Sequence, residues 1–314
     1  MAHSSRRASA VVWRCFALWV VLLAAVLAPA QTTLYQPGSP LFLWKVSSAT
    51  NSAYLFGSLH VAMPSFYPLP AEMERAYADS NVLVVEVDMS KVDMAKLQQL
   101  TMQLGSYPAG DDLSRHLKPE TAARVQQFCR DSGLPWEAVS QLRPWLVALL
   151  VTQRNLSQQG YDEKLGLDRH FMENPGKHRV EELETAEQQL RLIAEPTGDD
   201  PDLQITHVFD YAARQKEITA RMVDAWGHGE PDKLDALVAE FEKEETPGER
   251  AQMHRLNAER NPNMAAHLEK CLASGDHCFM VIGALHATGK DGVLSLLQAK
   301  GYKIEQIKMA AEKK

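Results

Sequence analysis

The chain contains no His-Glu-x-x-His pair, no Gly-x-Ser-x-Gly elbow and no Cys-x-x-Cys. The first absence excludes a conventional zinc peptidase helix. The second removes the strand-to-helix turn that exposes a catalytic serine, and Ser58 beside His60 is too common an arrangement to replace it. The third leaves cysteine without the spacing of a structural zinc site. An excess of basic residues is also missing, since 33 Lys and Arg face 40 Asp and Glu. Binding phosphates needs a concentrated basic face, so the charge balance disfavours a nucleic-acid partner and none is expected. After residue 30 no apolar run approaches the roughly 20 residues of a membrane-spanning helix.

The first thirty residues read differently. Arg6, Arg7 and Arg14 precede an apolar run from Cys15 to Leu27, and Ala28-Pro29-Ala30 supplies small residues for cleavage. This is the pattern of a signal peptide over residues 1–30, which implies an exported protein, periplasmic or secreted. If the leader is retained, it serves as an N-terminal membrane anchor. Without it, 30 basic residues face 40 acidic ones, a formal charge of −10. In an oxidising compartment Cys271 and Cys278, flanking Gly275-Asp276, read as a disulfide that leaves Cys129 as the odd thiol.

Residues 31–314 read as one α/β domain of mixed character. Leu41–Val46 and Ala53–Phe56 form a hairpin-like pair, Ala71–Ser80 is helical, and the β-branched run Val82–Val85 has the composition of a strand buried on both faces. From about 91 to 275 the periodicity is mostly helical, with helices expected over Lys118–Asp131, Pro135–Gln158, Asp168–Met172, 202–226, 232–245 and Glu249–Ser274. Phe279–Ile282 then returns to strand, followed by a helix from Gly289 to Gly301 and an alternating strand from Tyr302 to Ile307. The central sheet is therefore expected to be split, built from the N- and C-terminal segments around a large helical insertion.

Two segments 226 residues apart are nearly interchangeable. Tyr54-Leu55-Phe56-Gly57-Ser58-Leu59-His60 and Met280-Val281-Ile282-Gly283-Ala284-Leu285-His286 both read apolar, apolar, apolar, Gly, small, Leu, His. A buried strand that ends in glycine and releases a histidine delivers that histidine to the edge where open α/β sheets place ligands. Glu86 arrives at the same kind of edge, while Asp88 has the position of a helix cap. Two imidazoles and a carboxylate can hold a divalent ion with positions open for water and substrate, the apparatus of metal-assisted hydrolysis. His60, Glu86 and His286 are the expected ligands. His116, His170 and His207 lack duplicated context and are read as non-ligands.

These pieces resemble the TraB/GumN family, whose relatives include the animal Tiki proteins. The resemblance rests on Phe42-Leu43-Trp44-Lys45-Val46, the first Gly-x-x-His box, Asp79 to Asp88, Gly166-Leu167-Asp168, Glu182-Leu183-Glu184-Thr185 with Gln188-Gln189, Arg260-Asn261, and the second box, in that order. It implies an α/β fold with a split core and a metal-dependent peptidase site made of His60, Glu86, His286 and Arg260, acting on a peptide or protein with Mn, Co or Zn as the ion. Arg260 would bind a substrate carboxylate or an oxyanion. Asp168 resembles a helix N-cap, and Glu184 a group that orients a histidine. Hydrolysis of a non-peptide ester and non-catalytic capture of a peptide or small molecule in the same cleft are the competing readings.

Overall fold

A computed structural model describes residues 34–311, so the expected leader lies outside the described residues. Three strands open the chain: β1 (Pro40–Ser47), β2 (Ser52–Ser58) and, after helix α1 (Ala71–Ala78), β3 (Val82–Val85). β1 and β2 form the expected hairpin, paired Leu43 with Phe56 through Ser47 with Ser52. Its turn is closed by Ser48, whose Oγ accepts from the Thr50 and Asn51 N–H groups at 3.3 and 3.0 Å.

The middle of the chain is largely helical: α2 (Met94–Gly105), α3 (Pro119–Ser132), α4 (Trp136–Val139), α5 (Pro144–Gln158), α6 (Leu167–Glu173), α7 (Ala186–Ile193), α8 (Pro201–Gly227), α9 (Pro231–Phe241), α10 (Pro247–Leu256) and α11 (Asn261–Ala273). Strand β5 (Cys278–Gly283), the one-turn helix α12 (Ala284–Ala287), α13 (Val293–Ala299) and β6 (Lys303–Lys308) complete it. Three expectations are corrected. Pro135–Gln158 is two helices, because Pro144 lacks an N–H and starts a new one in its first turn. Glu249–Ser274 is also two, with Pro262 in the first turn of the second. Within the helical insertion the charged segment Arg179–Glu182 forms a strand, β4.

The sheet order is β4-β3-β5-β2-β1-β6. β4, β3, β5 and β2 run parallel, and β1 is antiparallel to both β2 and β6. The core sheet is thus assembled from both ends of the chain, as expected. β3 lies between β5 and β4 with all four side chains buried, which explains its unbroken Val-Leu-Val-Val. Most of the aromatic core lies on this sheet, and Trp226 of α8 fastens the helices to it. Its buried indole N–H donates to the Gly57 carbonyl at 2.7 Å, and its ring stacks on Phe66. A second apolar cluster of Leu113, Val125, Cys129, Val139, Leu142, Val147, Val151 and Ile205 forms a separate core for the helical insertion. Cys271 and Cys278 are disulfide-bonded, tying the end of α11 to the start of β5, and Cys129 is free and buried.

Candidate functional site

Four neighbouring parallel strands end at one edge, and each delivers part of a polar cluster. β2 ends at Ser58 with His60 two residues beyond. β5 ends at Gly283 and turns into α12, which carries His286. Glu86 follows β3 directly, and Glu184 follows β4, its N–H donating to the Glu86 carbonyl at 3.0 Å. Arg260 arrives from the break before α11. The parallel register pairs Gly57 with Ile282 and Ser58 with Gly283, so the two boxes lie side by side, offset by one residue.

The two glycines of the boxes do different jobs. A Cβ on Gly57 would fall 2.6 Å from Phe42 Cδ1 and 3.3 Å from Ala284 Cα, so Gly57 allows the first strand to pack. Gly283 has φ −53° and ψ 140°, open to any residue. A Cβ there would stand 3.4 Å from Glu86 Oε1, 3.4 Å from His60 Nε2 and 3.6 Å from His286 Cδ2. The two histidines and the glutamate therefore converge on one point, kept clear by the missing side chain.

His286 is buried, and its tautomer is determined by its partners. Asn261 Nδ2 donates to the Asp291 carbonyl at 2.8 Å, so Asn261 Oδ1 is the acceptor that faces His286 Nδ1 at 2.7 Å. Arg260 Nη1, which can only donate, lies 2.8 Å from Nε2. The ring is thus neutral, with its proton on Nδ1. Burial agrees, pulling the imidazole down to about 4 against the opposing pull of Glu86.

Glu86 Oε1 accepts from the Gly283 N–H at 2.6 Å, and Oε2 accepts from Arg260 Nη2 at 2.6 Å and Gln189 Nε2 at 3.0 Å. Burial would raise its carboxyl, but the charges of Arg260 and His60 and the Gly283 N–H oppose it, and the carboxyl is held below the usual glutamate value. Arg260 spends every N–H on the protein. Nε donates to Glu184, Nη1 to the Leu256 carbonyl at 2.7 Å and to His286, and Nη2 to Glu86 and Glu184. No donor is left over in this arrangement for a substrate carboxylate or an oxyanion.

His60 sits at the rim, its side chain 64% exposed, with Nδ1 3.4 Å from Asp168 Oδ2. Asp168 beside it favours the protonated ring, up to about 9, against a smaller opposing effect of burial; water at the rim screens this pair. The expectation that Asp168 caps α6 is corrected. Gly166 is the N-cap, and Asp168, in the first turn, turns its carboxylate to His60 and to Ser58 Oγ at 3.4 Å. Gly166 must be glycine because a Cβ there would collide with the His60 carbonyl. Glu184 reaches Arg260 rather than a histidine. Asp88 caps the turn Met89–Lys91, as expected.

His116, His170 and His207 pair with Asp111, Glu74 and Glu249, away from this cluster. Elsewhere Asp224, His228 and Glu230 lie close together, but both ring nitrogens of His228 are taken, by Gln36 and the Asp224 carbonyl, and Glu230 pairs with Lys233. The contributions of Gln189 and Asn261 had no signal in periodicity or spacing. Both stood only inside matching boxes.

The cluster forms the floor of a cavity of about 450 Å³. Leu192 and Ile193 of α7, Met222 of α8, Leu234 of α9, and Met253 and Leu256 of α10 wall it.

Comparison with known proteins places this site in context. The family model described as the TraB/PrgY/gumN family matches residues 42–306, which takes in both boxes, Glu86, Glu184 and Arg260. The chain is similar to the uncharacterized protein YbaP of Shigella flexneri, 22% identical over 143 residues, 45% of this chain and 51% of that protein. It is similar to YbaP of Escherichia coli K12 to the same degree over 142 residues. The match spans about half the length of these curated relatives. No solved structure matches significantly. With a family match that runs through nearly the whole described chain, this protein belongs to the TraB/PrgY/gumN family.

Proposed function

We propose that the protein is an exported metal-dependent hydrolase acting on peptides, with His60, Glu86 and His286 holding a divalent ion. The observation that carries this reading is the convergence of His60 Nε2, Glu86 Oε1 and the His286 ring on the point that a Cβ of residue 283 would occupy. The donor set suits a divalent ion. Histidine ligands commonly tie one ring N–H to an oxygen acceptor, as His286 does with Asn261 and His60 with Asp168; the His60 Nε2 faces the cavity, and an ion would take the His286 Nε2 in place of Arg260 Nη1. When bound, such an ion acidifies its water and polarises a carbonyl.

The chain's own residues then have distinct tasks. Gly283 leaves room above the donors and orients Glu86 through its N–H. Asn261 keeps the His286 proton on Nδ1, and Asp168 orients the His60 ring from the opposite side. Arg260 bridges Glu86 and Glu184, holding side by side two carboxylates that would otherwise repel. The apolar walls lower the local polarity around the floor, which strengthens the charge interactions of the buried Glu86.

Arg260 Nη1 already sits on His286 Nε2, and this favours a second reading, capture of a peptide without hydrolysis. Elemental analysis and a peptide-cleavage assay with added manganese, cobalt or zinc separate the two. Hydrolysis predicts about one ion per chain, lowered in His60→Ala and His286→Ala, and cleavage that depends on it. Purified protein with no ion and no cleavage on metal addition would leave only capture.

A further inference from the structure

The cavity over the His60, Glu86 and His286 cluster has a larger neighbour. A second cavity, of about 610 Å³, is lined from α8, α9 and α10 and shares Met222, Met253 and Leu285 with the first. Its volume lies within the ~300–1,000 Å³ usual for ligand sites. A peptide held over the cluster therefore has room for an adjacent side chain in the second cavity.

The charged groups of this second cavity are engaged, with one exception. Asp210 pairs with Arg124, Glu244 with Arg214, and Glu249 with His207 and the Thr246 N–H. Among the described residues no cation pairs with the Glu245 carboxylate, and its buried Oε2 has no hydrogen-bond partner. Arg250 is near, but its Nη2 donates to the Glu242 and Glu245 carbonyls at 3.0 and 3.1 Å rather than to that carboxylate. Burial, Glu242 and Glu249 push the Glu245 carboxyl above its usual value, against a smaller effect of Arg250. A partly buried carboxylate without a partner is costly, and its complement is a cation.

The walls fit the rest of such a group. Tyr211 and Phe241, edge to face with centroids 6.3 Å apart, line the cavity together with Val238. The methylene stem of lysine or arginine packs on apolar surface of this kind while its charged end reaches a polar group, and a cation beside aromatic rings gains further attraction. Glu245 also borders a third cavity, of about 540 Å³, but no Phe, Tyr or Trp lines that one. The chain's excess of acidic over basic residues, 40 against 33, favours the approach of a basic peptide.

We infer that the second cavity binds the side chain of a lysine or arginine adjacent to the residue held over the cluster, with Glu245 as the specificity-determining residue. The inference rests on the reading of the site as a peptide site, and it names the peptides favoured there: those that carry a basic side chain.

The test uses the full chain in EDTA, so that binding is read without turnover. Calorimetric titration compares acetyl-Ala-Lys-Ala-amide with the same peptide carrying Nε-acetyllysine, which keeps the stem and loses the charge. The lysine peptide should bind at least about tenfold more tightly. Glu245→Gln should abolish that difference while melting no lower than the parent, since no partner is lost. Glu242→Gln makes the same charge change at an exposed neighbour and should keep the preference. Equal affinity of the two peptides for the parent, no binding of either at millimolar peptide, or loss of the preference in Glu242→Gln as complete as in Glu245→Gln would overturn the inference. Metal content and turnover measured before EDTA is added keep the two readings apart. Lysine preference without metal or turnover removes hydrolysis alone, and metal-dependent turnover without lysine preference removes this inference alone.

Discussion

Gly283→Ala isolates the site from the fold. The backbone at 283 is in a region open to alanine, and the nearest atoms to the added Cβ are Glu86 Oε1, His60 Nε2 and His286 Cδ2, at 3.4, 3.4 and 3.6 Å. Those are ordinary contact distances, so the methyl fits without displacing backbone, and the Gly283 N–H bond to Glu86 survives. Replacing glycine at a compatible position reduces the entropy of the unfolded chain and stabilises by about 0.4–1 kcal/mol. The melting temperature should therefore stay level or rise by roughly 1–4 °C. The same methyl occupies the point on which the three donors converge, so metal content and any cleavage should fall to background. Gly57→Ala, the equivalent change in the first box, should do the opposite: its Cβ meets Phe42 at 2.6 Å, an overpacking that costs about 1–3 kcal/mol, while the cavity floor is left clear. Thermal melts with elemental analysis on both variants decide the matter. If Gly283→Ala keeps its metal, or if it unfolds while Gly57→Ala does not, the division of labour argued for the two glycines is wrong.

Arg260→Met should lower stability by about 3–5 kcal/mol in urea titration, because it leaves the buried Glu86 and the partly buried Glu184 without their cation; a variant as stable as the parent would remove Arg260 as the group holding those carboxylates. Asn261→Leu deprives the buried His286 Nδ1–H of its acceptor, costing about 1–3 kcal/mol, and metal affinity should drop 10–100-fold as the ring loses its orientation, roughly the range seen when such supporting groups are removed. Asp202 supplies a pH test away from the site. Burial would raise its carboxyl, but the Lys118 N–H, Thr121 and the Lys118 ammonium outweigh it and lower it below the usual carboxylate value. Its contribution is complete above the unfolded value of about 3.9 and is lost as pH falls through the lower native value, so Asp202→Asn should be less stable than the parent at pH 7, with the gap narrowing as the pH falls below that unfolded value. Urea midpoints of both proteins at pH 7 and through the acid range check this.

The duplicated boxes were legible because a buried strand, a glycine and a histidine form a long ordered pattern, and the split sheet follows from finding that pattern near both ends. Strand β4 was not legible, since Arg179-Val180-Glu181-Glu182 is a sheet-edge segment with three charged residues and carries no apolar alternation. Pro144 and Pro262 were visible signals for helix starts inside stretches that periodicity alone joined into single helices. The second break matters most, because it carries Arg260 and Asn261 into the site. The pairing of Asp168 with His60 depends on a close approach between Gly166 and the His60 carbonyl, a contact across more than a hundred residues that local pattern does not encode. Why Arg260 spends all five N–H groups on the protein is likewise apparent only once β3, β4 and β5 are side by side.

The central claim is that His60, Glu86 and His286 act as one ligand set. Cobalt titration of the metal-stripped protein, followed by its visible absorption, tests it most directly. One equivalent should saturate a d–d spectrum in the parent, and His60→Ala, Glu86→Gln and His286→Ala should each change the spectrum and weaken the binding. An identical spectrum and affinity in all three variants would contradict the claim.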